Sequence, residues 1–344
     1  MKKIISNISG KSPGKRLSRL NSSSGPSHFP ELSHGFISGI GYAARRTVLL
    51  CRRQYLAATF IVMLLYSLIP IEIHPQTEYA GTYSPDSCTS RPVTGSYSMT
   101  IGSKSLLATY LSPLTYRGTS FGLLGTWSKA LPFNPRHLIM HFEGSAAFDN
   151  LWNPARTAKI MGLNAGFKWG MSWRTTLPQK IQLTAGGCID LDGGAYYLLR
   201  NGNNPVQAMA SASVDARASL SRPFRIGTFN FLISDVVNIP SLGLFFSPEY
   251  GETYYEIYLG NRSGLVHTGW WGNNFRIDNL LSVTIDFGKT AAILGYRLKA
   301  DTQWANSLNT KILTHSFVIG IVPGGIGLKK RTVKLPSETI YSLY

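Results

Sequence analysis

Leu163–Arg174 reads LNAGFKWGMSWR. Leu163, Ala165, Phe167, Trp169, Met171 and Trp173 alternate with Asn164, Gly166, Lys168, Gly170, Ser172 and Arg174. Successive side chains of a strand point to opposite faces, so a period of two is the signature of a strand with two unlike environments. Here one face is apolar and aromatic without a break. The other is small or charged along its whole length, and the run is longer than the roughly 5–6 residues of an ordinary globular strand.

The pattern recurs outward in both directions. On the N-terminal side, Phe121, Leu123, Gly125 and Trp127 oppose Ser120, Gly122, Thr126 and Ser128. Leu138, Met140, Phe142 and Ala146 then oppose His137, His141, Glu143 and Ser145. On the C-terminal side, Ile189 and Leu191 oppose Asp190 and Asp192, and Val214 and Ala216 oppose Asp215 and Arg217. Farther on, Leu294, Tyr296 and Leu298 oppose Gly295, Arg297 and Lys299, and Phe317, Ile319 and Ile321 oppose Ser316, Val318 and Gly320. Membrane strands need about 9–11 residues when tilted. In lipid only a closed barrel satisfies every backbone group. The expectation is an all-β fold: a transmembrane antiparallel up-and-down β-barrel of about 12 strands. That count takes 240–247, 253–259 and 264–272 as strands.

Composition agrees. Of 344 residues 44% are hydrophobic and only 15% charged, with 34 glycines, where a soluble protein carries about a quarter charged residues. The formal net charge is +17, but ten basic residues lie within 1–53 against Glu31 alone, and Lys329, Lys330, Arg331 and Lys334 sit in the tail. A nucleic-acid binder needs its basic residues as a stripe on the fold, so no nucleic-acid partner is expected. Cys51, Cys88 and Cys188 have no metal-ligand spacing. Neither a metal nor a cofactor is expected.

Five segments follow. Residues 1–44 are rich in Ser, Gly, Pro and Lys and read as a disordered or mis-assigned extension. Residues 45–76 place Arg45, Arg46, Arg52 and Arg53 before the apolar run Leu56–Ile71, which Pro70 interrupts; that run is short for a spanning helix and reads as a signal peptide. Residues 77–115 read as a lead-in, 116–322 as the barrel and 323–344 as a basic C-terminal tail.

Thr253–Ile285, TYYEIYLGNRSGLVHTGWWGNNFRIDNLLSVTI, is the densest polar and aromatic stretch. Its ends alternate as strands would. Its centre offers His267 with Ser263 and Asn273, the side-chain types of a Ser/His/Asn hydrolase acting on lipid. No G-x-S-x-G elbow presents a serine, so loop or rim residues are the preferred reading and an enzyme is not. His137 and His141, with Glu143, are spread too far along a strand to share one ion. The candidate binding or lumen residues are Lys168, Asp190, Asp215, Arg217 and Arg297, which would either select what passes through a narrow channel or lock together as a closed polar network. A soluble β-sandwich held by an anchor at 56–71 is the remaining alternative.

Tyr254–Ile321, above all its YLGN, LVH and THSFVIGI pieces, together with SLLATYLSPLTYRG at Ser105–Gly118, resembles a Bacteroidales family of secreted proteins catalogued as a domain of unknown function. The resemblance implies an outer-membrane-type barrel and brings no catalytic residues. The location expected is the bacterial outer membrane. The expected partners are membrane lipid, including lipopolysaccharide, and the export and barrel-assembly machinery.

Overall fold

A computed structural model describes residues 89–202, 204–261, 263–328 and 338–342. The segments read as extension and signal peptide, most of the basic tail, and Cys51 and Cys88 lie outside the described residues.

Ten antiparallel strands close into one barrel: β2 (Thr94–Ala108), β3 (Ser112–Ala130), β4 (Leu138–Trp152), β5 (Lys159–Leu177), β6 (Ile181–Leu198), β7 (Val206–Ile226), β8 (Phe229–Phe246), β10 (Asn274–Asp286), β11 (Thr290–Ala305) and β12 (Leu308–Pro323). Each pairs with its sequence neighbour, β8 with β10, and β12 closes the ring on β2 from Thr310–Ala108 to Ile321–Tyr97. An eleventh strand, β9 (Val266–Gly269), pairs only with the end of β8, Gly243 to Phe246. β8 therefore has two partners in succession, and the register between β7 and β8 shifts beside Pro240, which has no N–H to give a ladder. A short parallel pair, β1 (Thr89–Ser90) with β13 (Glu338–Thr339), completes the described strands.

The count is ten and not twelve for identifiable reasons. The runs 229–234 and 240–246 are two parts of one strand, β8. Residues 264–272 hold only the short β9 outside the ring. Residues 253–259 are helical: α1 (Tyr254–Tyr258) starts on a capping box in which Thr253 Oγ accepts from Glu256 N–H and the Glu256 carboxylate accepts from Thr253 N–H. Conversely, the segment read as lead-in already contains β2 and the start of β3, so the barrel runs from Thr94 to Pro323. A single sheet closed on itself also replaces the sandwich alternative, which needs two packed sheets.

The two faces are sorted as the alternation requires. Met99, Leu163 and Phe317 point outward at 69%, 66% and 66% exposure, amid a nearly continuous apolar exterior. Exposed aromatics collect near both rims: Trp152, Tyr197 and Trp304 at one, Tyr97, Trp173 and Phe229 at the other. Trp152 pairs with Arg117 on β3, and ten residues of tilted strand separate that level from Trp127, about 25 Å, the height of an apolar belt.

One end of the barrel carries the turns 109–111, 153–158, 199–205 and 306–307 and the long connection 247–273; it is called the loop end below. The opposite end, here the terminal end, carries 131–137, 178–180, 227–228 and 287–289 and both ends of the barrel segment. Asn306 and Ser307, both at positive φ, form the two-residue turn that matches strand twist. Inward glycines let the walls approach: a Cβ on Gly102 would collide with the His315 carbonyl oxygen and stand 2.6 Å from Ser316 Cα.

Candidate functional site

The inward residues of ten strands meet in a narrow lumen, where isolated charges are costly unless paired. Lys168 on β5 lies 3.1 Å from the Asp190 carboxylate on β6 and 3.0 Å from that of Asp278 on β10. Arg297 on β11 donates to both oxygens of Asp278 at 2.8 and 2.7 Å and to Glu143 on β4 at 2.5 Å. Arg276 on β10 donates to Asp190 at 3.1 Å, to Ser211 at 2.7 Å and to Asp192, with Asp301 at 3.4 Å. Nearer the loop end Lys104 pairs with Asp149, which also accepts from Ser120 at 2.6 Å and Asn164 at 2.8 Å.

The strand numbers decide what this arrangement is. Charges lining a pore would pair along the wall. Glu143–Arg297 joins β4 to β11 and Asp190–Arg276 joins β6 to β10, strands that are not neighbours in the ring. The pairs cross the lumen, and Lys168 and Asp278 at their centre are each 2% exposed. The result is an ionic septum.

On either side of the septum lies a cavity. The upper one, about 100 Å³, is bordered by Lys104, Asp192, Tyr196, Arg276, Lys299 and Asp301. The lower one, about 130 Å³, is bordered by His141, Glu143, Arg217, Asn238 and Arg297 with apolar residues and hydroxyls beneath.

Apolar packing seals both ends. Toward the loop end, Leu106, Leu111, Tyr116, Leu151, Ile160 and Tyr196 fill the bore. Above them the 247–273 connection is tied across the mouth. The Tyr110 hydroxyl donates to the Glu252 carbonyl at 2.7 Å, the Tyr254 hydroxyl accepts from Ala208 N–H at 2.6 Å, and the Asn306 amide donates to the Gly264 carbonyl at 3.1 Å. Burial, then the Tyr254, Glu252 and Glu256 groups nearby, push the Tyr110 phenol up to about 12. At the terminal end, Leu232, Ala291 and Val322 pack around the fully buried Ile326. There the Ser342 hydroxyl bonds the Ser128 hydroxyl at 2.7 Å and Thr94 at 3.2 Å, and Arg174 donates to the Tyr341 carbonyl at 2.7 Å.

Of the residues singled out from sequence, Lys168, Asp190 and Arg297 meet in the septum. Arg217 stands beside it, donating to Asn238 at 2.9 Å and lying 3.9 Å from Glu143. Asp215 accepts from Ser213 at 2.6 Å. Sequence reasoning did not single out Arg276, Asp278, Asp301, Lys104 or Asp149. The first two follow by stepping back in twos from Ser282 and Leu280, and Lys104 by stepping forward from Thr100 and Gly102.

His267, Ser263 and Asn273 are not assembled by any hydrogen bond among the described residues. Asn273 closes the turn between β9 and β10, accepting from Trp270 N–H at 2.9 Å and donating to the Thr268 carbonyl at 2.9 Å. His267 lies against the Phe245 ring at 5.5 Å. The indole of Trp271 donates to the Pro240 carbonyl and clamps this turn to β8. His137 is stacked on Trp173 at 4.9 Å, away from the inward-facing His141. Among the described residues no His, Cys, Asp and Glu cluster is arranged to hold a metal ion.

The chain belongs to the family described as protein of unknown function (DUF3316), which matches residues 59–332. No curated protein sequence matches it. Three solved structures show a distant similarity. The transport unit of the autotransporter AIDA-I from Escherichia coli is 7% identical over 74% of this chain and 94% of its own, with a TM-score of 0.39. The outer membrane protease OmpT from Escherichia coli is 9% identical over 72% and 99%, with a TM-score of 0.40. The beta domain of the Bordetella autotransporter BrkA is 10% identical over 68% and 100%, with a TM-score of 0.33. None of these likenesses transfers an activity to this chain.

Proposed function

We propose that this chain is a sealed β-barrel of the bacterial outer membrane, one that holds a tied-down loop surface in the bilayer and does not conduct solute. The observation that carries the seal is the septum: Glu143–Arg297 and Asp190–Arg276 join strands that are not neighbours in the ring, and buried apolar clusters lie beyond it on both sides. The membrane placement is supported by the apolar exterior and the two rims of exposed aromatics.

On this reading short turns and both ends of the barrel segment face the periplasm, and 247–273 faces outward. The partners are membrane lipid and, at the loop end, lipopolysaccharide; exposed Arg117, Arg156 and Arg200 there suit phosphate-bearing headgroups. Export and barrel-assembly machinery would deliver it.

The test joins two measurements. In detergent the protein should migrate faster before boiling than after, as a closed barrel does. In planar bilayers it should give no steady conductance. An ohmic current from the unaltered protein would overturn the seal, and the absence of both a heat shift and a membrane-fraction signal would overturn the placement.

A further inference from the structure

The lower cavity is built to hold something with a negative charge at one end and a short apolar body. Its septum side carries Arg217 and Arg297 against Glu143 and Asp278, with His141 beside them. Arg217 uses one N–H on Asn238 and stands 3.9 Å from Glu143, beyond hydrogen-bond range. His141 is 6% exposed, borders the cavity, and its Nε2 has no hydrogen-bond partner among the described residues. An unpaired buried polar atom of this kind is expensive to leave unmade. Several other polar groups of the wall are paired: Ser96 with Thr126 at 2.6 Å, Ser234 with Ser282 at 2.9 Å, and Arg297 with Asp278 and Glu143. The opposite side is apolar, from Leu124, Leu232 and Val318.

The geometry points to this cavity as a binding site for a short-chain carboxylate. The guanidinium of Arg217 matches the two carboxylate oxygens, and His141 supplies a further donor. The alkyl tail lies on Leu124, Leu232 and Val318. A cavity of about 150 Å³ takes up benzene, so about 130 Å³ admits roughly five or six heavy atoms, the size of propanoate or butanoate. A free cation is a poor fit, since the two carboxylates of the lining, Glu143 and Asp278, are both held by Arg297, which leaves Arg217 facing the space. This site stands apart from the sealed-barrel reading: conductance tests the septum, and ligand binding tests the cavity.

The experiment is a titration of carboxyl-labelled butanoate, followed by carbon-13 NMR, into the full chain refolded in detergent, with protein-free micelles as the blank. Saturable binding near one per barrel is expected, roughly tenfold weaker for butanol, which lacks the charge, and absent for octanoate, which exceeds the space. Arg217→Gln should weaken butanoate at least as much as removing its charge does. Val318→Phe, which fills the cavity from the opposite wall and leaves Arg217 in place, should abolish binding while the heat shift persists. Uptake no greater than the micelle blank would show the cavity to hold water only and would overturn the assignment. So would binding unchanged in Val318→Phe, or butanol binding as tightly as butanoate.

Discussion

Replacing Arg297 by Met removes the cation shared by two buried carboxylates while keeping most of the side-chain volume. Three charge-assisted hydrogen bonds disappear, two to Asp278 and one to Glu143. Asp278 keeps Lys168 at 3.0 Å, but Glu143 is left with Arg217 at 3.9 Å as its nearest cation. Breaking a buried pair by removing one partner destabilises by about 3–5 kcal/mol, whereas losing a hydrated ion pair on a water-filled wall costs about 0–1 kcal/mol. The septum and the pore therefore predict different numbers for one substitution. Urea unfolding in lipid vesicles, read from the heat-shifted gel band, measures it. Adding Glu143→Leu to Arg297→Met should recover about 1–3 kcal/mol, because the second change removes the stranded charge. A loss below about 1 kcal/mol with no recovery in the double variant would mean that water fills the septum, and the sealed-lumen argument would fail.

Two further outcomes follow from the 247–273 connection and from the wall. Tyr110, with its phenol pushed from 10.0 up to about 12, holds that connection through the Glu252 carbonyl in its protonated form; that contribution is complete below pH 10 and disappears as pH rises toward 12. Phenolate absorbance should lose the equivalent of one late-titrating tyrosine in Tyr110→Phe; a late amplitude unchanged by the substitution would contradict the assignment. Gly102→Ala puts a methyl group into the His315 carbonyl of β12, an overpacking expected to destabilise by about 1–3 kcal/mol. Vesicle unfolding would check it, and wild-type stability would show that β2 and β12 are not packed as described.

Much of this fold was legible because a barrel wall with an apolar outside has the simplest of all patterns. From Leu163 to Arg174 every second residue faces the apolar exterior and every other the lumen, so Lys168 could be placed inward before any pairing was known. The same rule misled at Tyr254–Leu259, where six residues of Tyr, Glu, Ile and Leu alternate by accident. The capping pair Thr253 and Glu256, three residues apart, was the stronger signal there. The strand count failed where β8 changes partner at Pro240, since a proline between two apolar runs looks like a connector. The septum was half legible. Direction into the lumen follows from parity, but which charges meet across it depends on strand tilt and ring closure, which link Glu143 to a partner 154 residues away.

The seam between β2 and β12 also governs how the molecule comes into being. Its two sides are the first and last strands of the ring, and Ala108 finds Thr310 only after everything between them exists. Until that moment the nascent wall is an open ribbon with two raw margins, each able to recruit a stranger's strand. Closure thus tests completeness: a chain halted inside β11 can form the hairpins that precede it and still cannot become a barrel, because the strand that would pair with β2 is missing.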